Sequence, residues 1–324
     1  MNLVLAGLAG LVVVLMAALA ALAALNRLAP ATAMRWALGL ERWRAGLRLR
    51  SIVVDGQRVP YLEGGQGVPL LLLHGFAADK DNFVLVARSL GRHYRLIIPD
   101  LAGLGEAGRD PAARYRMSDQ ADRMWRLLDS LGIDSVHLGG SSMGGFIAGQ
   151  MAGSRGGRVA SLWLINAAGT TAAHASPLLL RYQDTGDVPL LVRRVEDYPA
   201  LLAVSAHRRP YLPWCINHQL ALRAVADVGL HSQIMREMAF ESPPLDLTFA
   251  RISPPTLITW GQEDAILAPA GAAAQLALCS DAELLRLPGI GHLPMIEDPP
   301  LAAAGYLAFR QRLASRSPPD QLTG

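Results

Sequence analysis

The sequence predicts an α/β architecture: a mostly parallel sheet with helices on both faces and an inserted helical cap, preceded by one transmembrane helix. Three observations carry this reading. Short Leu-rich or β-branched runs alternate with helix-like stretches, the alternation lapses between Ala167 and Arg251, and an uncharged apolar run opens the chain. Alternation of this kind is the pattern of parallel strands joined by crossover helices. At 51% hydrophobic and 18% charged residues, the chain has ample apolar material for a core and too little polarity for long disorder.

The apolar run from Leu3 to Leu25 holds only Leu, Val, Ala, Gly and Met. As a helix it covers about 35 Å, enough for a bilayer's hydrocarbon core. The competing reading is a cleaved signal peptide, with Ala31-Thr32-Ala33 as its cleavage site. No Lys or Arg precedes the run, and it is longer than a usual signal-peptide core, so an uncleaved anchor is expected. Arg27, Arg35, Arg42, Arg44, Arg48 and Arg50 follow it, against Glu41 alone. That asymmetry places the rest of the chain on the cytoplasmic side, with a secreted or periplasmic form as the alternative. Trp36, Leu40, Trp43 and Leu47 recur at helical spacing, which suits a helix lying in the membrane interface or one packed on the globular body.

Strands are expected at Ser51–Val54, Leu70–Leu73, Leu96–Ile98, Val136–Leu138, Leu162–Ile165, Leu257–Thr259 and Leu284–Leu287. Helices are expected at Asn82–Leu90, Ser118–Leu131, Met143–Ala152, Ala268–Leu278 and Leu301–Leu313. Prolines from Pro177 to Pro244 punctuate short apolar pieces in the interruption, which is too long for an unstructured loop and reads as a helical cap. The net charge of +3 is small, and Lys80 is the only lysine. No basic run is interleaved with aromatics, so nucleic acid is not an expected partner. Cys215 and Cys279 form no metal-like pair and read as two unpaired thiols.

Gly140-Ser141-Ser142-Met143-Gly144 follows the strand at Val136 and precedes a helix. It fits G-x-S-x-G, in which small residues let the backbone turn sharply enough to expose the central serine. Ser142 is therefore the expected nucleophile and Ser141 a structural neighbour. A serine hydroxyl needs a base to take its proton, and the base needs a carboxylate to orient it. Two later strands end suitably, one in Gly261-Gln262-Glu263-Asp264 and one in Pro288-Gly289-Ile290-Gly291-His292. Asp264 is the expected acid, with Glu263 the alternative, and His292 the base. Two backbone N–H groups should face the developing oxyanion. Met143 supplies one from a helix N-terminus, and Phe76, in the loop His74-Gly75-Phe76-Ala77, is the candidate for the other. Tyr198, Leu201, Leu202, Tyr211, Leu212, Trp214 and Ile216 are the candidates to line an apolar acyl pocket, their bland alternative being packing of the cap.

With HGF, GSSMGG, WGQED and GHLPMIEDP in order, the chain resembles the α/β-hydrolase fold family from Ser51 to Leu313. Within it the likeness is to membrane-anchored monoacylglycerol lipases and Moraxella-type bacterial lipases. These share an N-terminal span, the stretch seen here as His74-Gly75-Phe76-Ala77-Ala78-Asp79-Lys80-Asp81, and the S-M-G-G elbow. The resemblance implies hydrolysis of a carboxylic ester with an apolar acyl chain, with no metal and no organic cofactor. Family members often read D-x-P-G-x-G-x-S after the third core strand, whereas Asp100-Leu101-Ala102-Gly103-Leu104-Gly105-Glu106-Ala107 lacks the proline and serine.

These readings divide the chain into an anchor at 1–27, a basic amphipathic juxtamembrane segment at 28–50, a core at 51–166 and 252–314, a cap at 167–251 and a flexible tail at 315–324. The expected function is a lipase or carboxylesterase acting on membrane-derived acyl glycerols. A carbon–carbon bond hydrolase of ring-cleavage diketones would use the same triad but needs no span. A silent membrane-tethered binding protein would keep the fold without the intact triad and glycines seen here.

Overall fold

The computed structural model describes residues 2–316. Helix α1 (Asn2–Leu28) contains the stretch Gly7–Leu28, long and apolar enough to cross a membrane, with mean hydropathy 2.8 and none of it buried. Length and composition of this kind serve an anchor and a signal sequence equally. Ala29 breaks the helix, and α2 (Pro30–Arg44) restarts with proline at its first position, where a missing N–H costs nothing.

Helix α2 packs through Ala33, Met34, Ala37 and Leu38 onto Cys215 and Ile216 of the cap. Trp36 and Trp43 sit on other faces and are 66% and 74% exposed. The chain leaves the helix after Arg44, so Leu47 does not continue that stripe. It is buried at the start of a strand, inside the segment read above as juxtamembrane.

Eight strands follow: β1 (Leu47–Val54), β2 (Gln57–Gly65), β3 (Val68–Leu73), β4 (Tyr94–Pro99), β5 (Val136–Ser141), β6 (Val159–Ile165), β7 (Thr256–Gly261) and β8 (Ala282–Leu287). They form one sheet in the order β1-β2-β4-β3-β5-β6-β7-β8, antiparallel at the β1-β2-β4 end and parallel from β4 to β8. Strand β2 was not among the expected strands; Pro60, Arg58 and Glu63 mask its apolar pattern. Its signal is the dipeptide Asp55-Gly56, whose φ values of 50° and 74° make the two-residue turn that returns a strand on its neighbour.

Period-two alternation sends side chains to two cores. Leu70 and Leu72 join α3 (Val84–Leu90) and α14 (Pro299–Arg316), while Leu71 and Leu73 join α4 (Met117–Ser130), α5 (Met143–Ser154) and α12 (Ala270–Leu278). Helix α14 includes Ser315 and Arg316, so the tail expected from 315 starts too early, and 317–324 lie outside the described residues.

The interruption between β6 and β7 is helical throughout its regular structure. It holds α6 (Thr171–His174), α7 (Pro177–Thr185), α8 (Tyr198–Ser205), α9 (Trp214–Ala226), α10 (Val228–Phe240) and α11 (Leu245–Thr248). The cap is pinned to the core by Arg109 on Asp227, at 2.6 and 2.7 Å, and by the Tyr115 N–H donating to Glu237 at 2.5 Å. It is also tied to α1, where the Asn26 Oδ1 accepts from the Cys215 N–H at 3.0 Å and so caps the first turn of α9. The Arg27 guanidinium lies 4.6 Å over the Trp214 ring. Cys215 and Cys279 are buried and unbridged.

Candidate active site

Every candidate reactive residue stands at the carboxyl end of a parallel strand, the side on which sheets of this kind carry their sites. Strand β5 ends at Ser141, Ser142 adopts φ 55° and ψ −121°, and α5 begins at Met143. A positive φ on a residue with a Cβ stores about 1–3 kcal/mol of strain, which its surroundings must hold in place. They do so by close approach. A Cβ added to Gly140 would lie 2.2 Å from the Gly144 carbonyl oxygen, and one on Gly144 would lie 2.1 Å from that of Leu73. Only glycines let α5 and β3 come this near. Ser141 points the other way, fully buried, its hydroxyl without a partner among the described residues.

The loop after β7 places Asp264 against His292, which follows β8. The Asp264 Oδ2 is 2.8 Å from the His292 Nδ1, and both side chains are almost wholly buried. A carboxylate only accepts, so the imidazole carries its proton on Nδ1 and leaves Nε2 free as a base. Asp264 has three further donors: Asn166 Nδ2 at 2.7 Å, and the N–H groups of Ile266 and Leu267 at 2.8 and 3.1 Å. Burial alone would raise its pKa, but the charge and hydrogen bond of His292, with the donors Asn166 and Leu267, outweigh it and hold the carboxyl below its ordinary value. Glu263 does not compete, since its carboxylate accepts instead from the Ile290 N–H at 3.1 Å.

Two supporting residues escaped the sequence reading. Asn166, at the end of β6 with φ 38°, also accepts from the Gly261 N–H at 2.9 Å and so ties the ends of β6 and β7 to the acid. Glu297, in α13 (Pro294–Glu297), accepts from the N–H groups of Gly291 at 3.0 Å and Leu293 at 3.2 Å, bracketing His292. It takes a third from Arg208 of the cap at 2.8 Å. The signal for Asn166 was present as an asparagine ending an apolar strand, the residue type that tolerates positive φ. For Glu297 it was the acidic residue five positions after the histidine.

The loop after β3 lies beside the elbow: a Cβ on Gly75 would sit 3.2 Å from the Ser142 Cβ. His74 fixes it. The Leu101 N–H donates to His74 Nε2 at 3.0 Å, so Nδ1 holds the proton and donates to the Gly75 carbonyl at 2.9 Å. Complete burial lowers the pKa of this imidazole and keeps it neutral. Because the peptide is planar and trans, fixing the Gly75 carbonyl fixes the opposed Phe76 N–H. Neither the Phe76 nor the Met143 N–H has a hydrogen-bond acceptor among the described residues.

Ser142, His292 and Phe76 open into one cavity of about 720 Å³, within the range of small-molecule sites. Its walls are largely apolar and include Tyr198, Leu201, Leu202, Tyr211, Leu212 and Ile216 of the cap and Met34, Ala37 and Leu38 of α2. Trp214 is not part of the wall; it stacks on His218 with ring centroids 4.5 Å apart, under Arg27. Across the cavity, the Phe76 ring meets His231 edge-on at 5.6 Å, and burial pushes that histidine down to about 4.

A sheet of this order, with its candidate loops at the carboxyl ends of the parallel strands, is the architecture of the α/β-hydrolases, and the chain belongs to that family. The family model described as alpha/beta hydrolase fold matches residues 68–209. The chain is 33% identical to Lipase 1 of Psychrobacter immobilis over 90% of its own length and 92% of the relative's. It is 26% identical to monoacylglycerol lipase ABHD6 of Mus musculus, covering 83% and 86% of the two chains. Among solved structures, a membrane phospholipase A superposes with a TM-score of 0.86 at 35% identity, covering 95% of this chain and 98% of that one. With such relatives the chain is an ester hydrolase of the lipase and esterase type.

Proposed function

We propose that the chain is a membrane-anchored serine hydrolase that cleaves single-chain acyl glycerol esters through an acyl-enzyme. The observation that carries this reading is the apolar cavity into which Ser142 and His292 both open, walled jointly by the cap and by the helix that follows the apolar span. An acyl chain fits such a wall, and the glycerol end is left toward the polar groups of the loops.

In this mechanism His292 Nε2 takes the Ser142 proton as Oγ attacks the ester carbonyl. Asp264 keeps the imidazole in the Nδ1–H tautomer and balances the charge it gains. The Phe76 and Met143 N–H groups donate to the oxyanion, a contribution worth about 10²–10³ in rate per donor. Collapse expels the glycerol oxygen with the proton from His292, and a water molecule, activated by the same base, releases the fatty acid. The apolar span α1 acts as an uncleaved anchor with the catalytic body on the cytoplasmic side, its arginines after Leu25 carrying that orientation.

The test uses the full-length chain in detergent micelles. Glyceryl and nitrophenyl esters from short to long acyl chains, together with lysophospholipid and diacylphospholipid, are compared for the wild type and Ser142→Ala. Turnover of medium or long monoacyl glycerol esters, abolished in Ser142→Ala, is the expected result. Turnover confined to the shortest esters, or to phospholipids, would replace the substrate class, and turnover that survives Ser142→Ala would sink the mechanism. N-terminal sequencing of the membrane-extracted protein should return the residues of α1; a chain beginning after Ala33 would make the run a signal sequence.

A further inference from the structure

The loop that carries the Phe76 N–H is held at its near end by His74 on the Gly75 carbonyl, but its far end is not self-supporting. It continues through Ala77, whose φ of 55° lies where a residue with a Cβ is strained, and its turn is closed by a long 3.4 Å bond from the Ala78 N–H to the same Gly75 carbonyl. Three consecutive charged residues follow, and each is gripped by a different part of the molecule. The Asp79 carboxylate meets Arg223 of cap helix α9 at 2.5 Å. Lys80, fully buried, is held by Asp100 after β4 at its Nζ (2.8 Å) and its backbone N–H (2.9 Å). Asp81 receives a two-pronged contact from Arg42 of α2, Nε to Oδ1 at 2.7 Å and Nη2 to Oδ2 at 2.6 Å.

This last contact differs from the numerous arginine–carboxylate pairs on the surface. Its two side chains are only 14% and 11% exposed, and the paired geometry fixes direction as well as distance. Arg42 also lies within 4.0 Å of Glu106, which in turn is 3.3 Å from the Lys80 Nζ. The Asp79 and Asp81 carboxylates flank one short turn, with the Asp81 N–H donating to Asp79 at 3.0 Å. Burial and the Asp79 charge raise the pKa of Asp81, and Arg42 and Lys80 oppose them, while Arg223 and Lys80 favour the ionised Asp79.

We infer that Arg42 is a positioning residue for the reaction: seated on Asp81, it holds the far end of the loop and, with His74 at the near end, keeps the Phe76 N–H on the oxyanion, so that turnover depends on α2 being docked. This rests on the oxyanion role proposed above for Phe76. The span, α2 and the oxyanion loop thereby form one mechanical unit, with the second arm running from Asn26 through α9 to Arg223 and Asp79.

The experiment compares full-length Arg42→Gln, Arg42→Lys, Asp81→Asn and the charge-exchanged Arg42→Asp/Asp81→Arg chain in micelles, using a medium-chain nitrophenyl ester. Because the donor is displaced rather than deleted, Arg42→Gln should lose about tenfold or more in kcat, below the cost of deleting one. KM should stay within about twofold. Arg42→Lys and the exchanged pair should recover part of the loss, and affinity for an alkyl boronic acid, whose adduct on Ser142 is tetrahedral, should fall in step with kcat. Hydrogen exchange reads the clamp without turnover and should quicken across residues 75–82 in Arg42→Gln. Unchanged kcat in Arg42→Gln and Asp81→Asn, or a change confined to KM, would overturn the inference while leaving the proposed function intact. If Arg42→Gln does not fold, Arg42→Lys and Asp81→Asn decide on the same terms. If the wild type shows no Ser142-dependent turnover, the proposed function fails, and unaltered exchange at 75–82 would then remove the clamp as well.

Discussion

Replacing Asn166 tests how the acid is held. In Asn166→Ala, Asp264 loses one of four donors, and the Gly261 N–H loses its acceptor in a buried place. A hydrogen bond to a charged group contributes about 1.5–3 kcal/mol, and an unsatisfied buried N–H costs about 1–3 kcal/mol, so a loss of about 2.5–6 kcal/mol is expected. Asn166→Asp is nearly isosteric and keeps the acceptor for Gly261, but sets a carboxylate oxygen where the amide stood, 2.7 Å from the Asp264 Oδ2. Two carboxylates at that distance share a proton, which raises one folded-state pKa above its unfolded value. Such a group stabilises below the unfolded pKa, and that contribution disappears as pH rises through the folded one. The deficit of Asn166→Asp relative to wild type should therefore be largest near pH 7 and shrink toward pH 5. Denaturant unfolding in micelles at several pH values, paired with kcat, measures both. A deficit in Asn166→Ala below about 1 kcal/mol, or one in Asn166→Asp that does not vary with pH, would refute the hydrogen-bond account.

Gly144→Ala should lower stability and nearly abolish turnover, because its methyl group meets the Leu73 backbone at 2.1 Å and α5 must retreat from β3; thermal unfolding and fluorophosphonate labelling of Ser142 check this. Glu297→Ala removes the acceptor for three backbone N–H groups around His292, and should lower kcat more than it raises KM while costing about 2–4 kcal/mol of stability. Burial, aided by Arg310, pushes His137 down to about 4. Between its ordinary value and 4 the unfolded chain takes up a proton that the folded chain refuses, so stability falls with pH by about 1.4 kcal/mol per unit, fully present above the ordinary value. His137→Asn should remove that share of the slope in unfolding curves run from pH 6.5 to 4.5, whereas an unchanged slope would show that His137 is not held neutral.

The parts legible in the sequence are those set by one continuous stretch. Val136 to Gly145 holds a buried strand, a glycine turn and a helix start in ten positions, so Ser142 could be read without knowing its neighbours. Asp264 and His292 follow apolar runs of the same kind. What escaped depends on meetings between distant residues. Arg42 counts as one more basic residue until Asp81 is found beside it, and Asn166 is an ordinary strand end until Asp264 arrives from 98 positions away. Strand β2 was hidden by Pro60 and its charges, though Asp55-Gly56 announced the hairpin. Trp214, an aromatic among pocket candidates, stacks on His218 one turn along its own helix and is covered by Arg27, a contact that no local pattern encodes.

Lys80 is the only lysine in the chain, and its amine is sealed from solvent between Asp100 and Glu106. An amine-directed acylating reagent therefore meets one side-chain target, and meets it only when the loop opens. Its attachment rate counts those openings one by one, a clock for local unfolding written into the composition with no label to engineer.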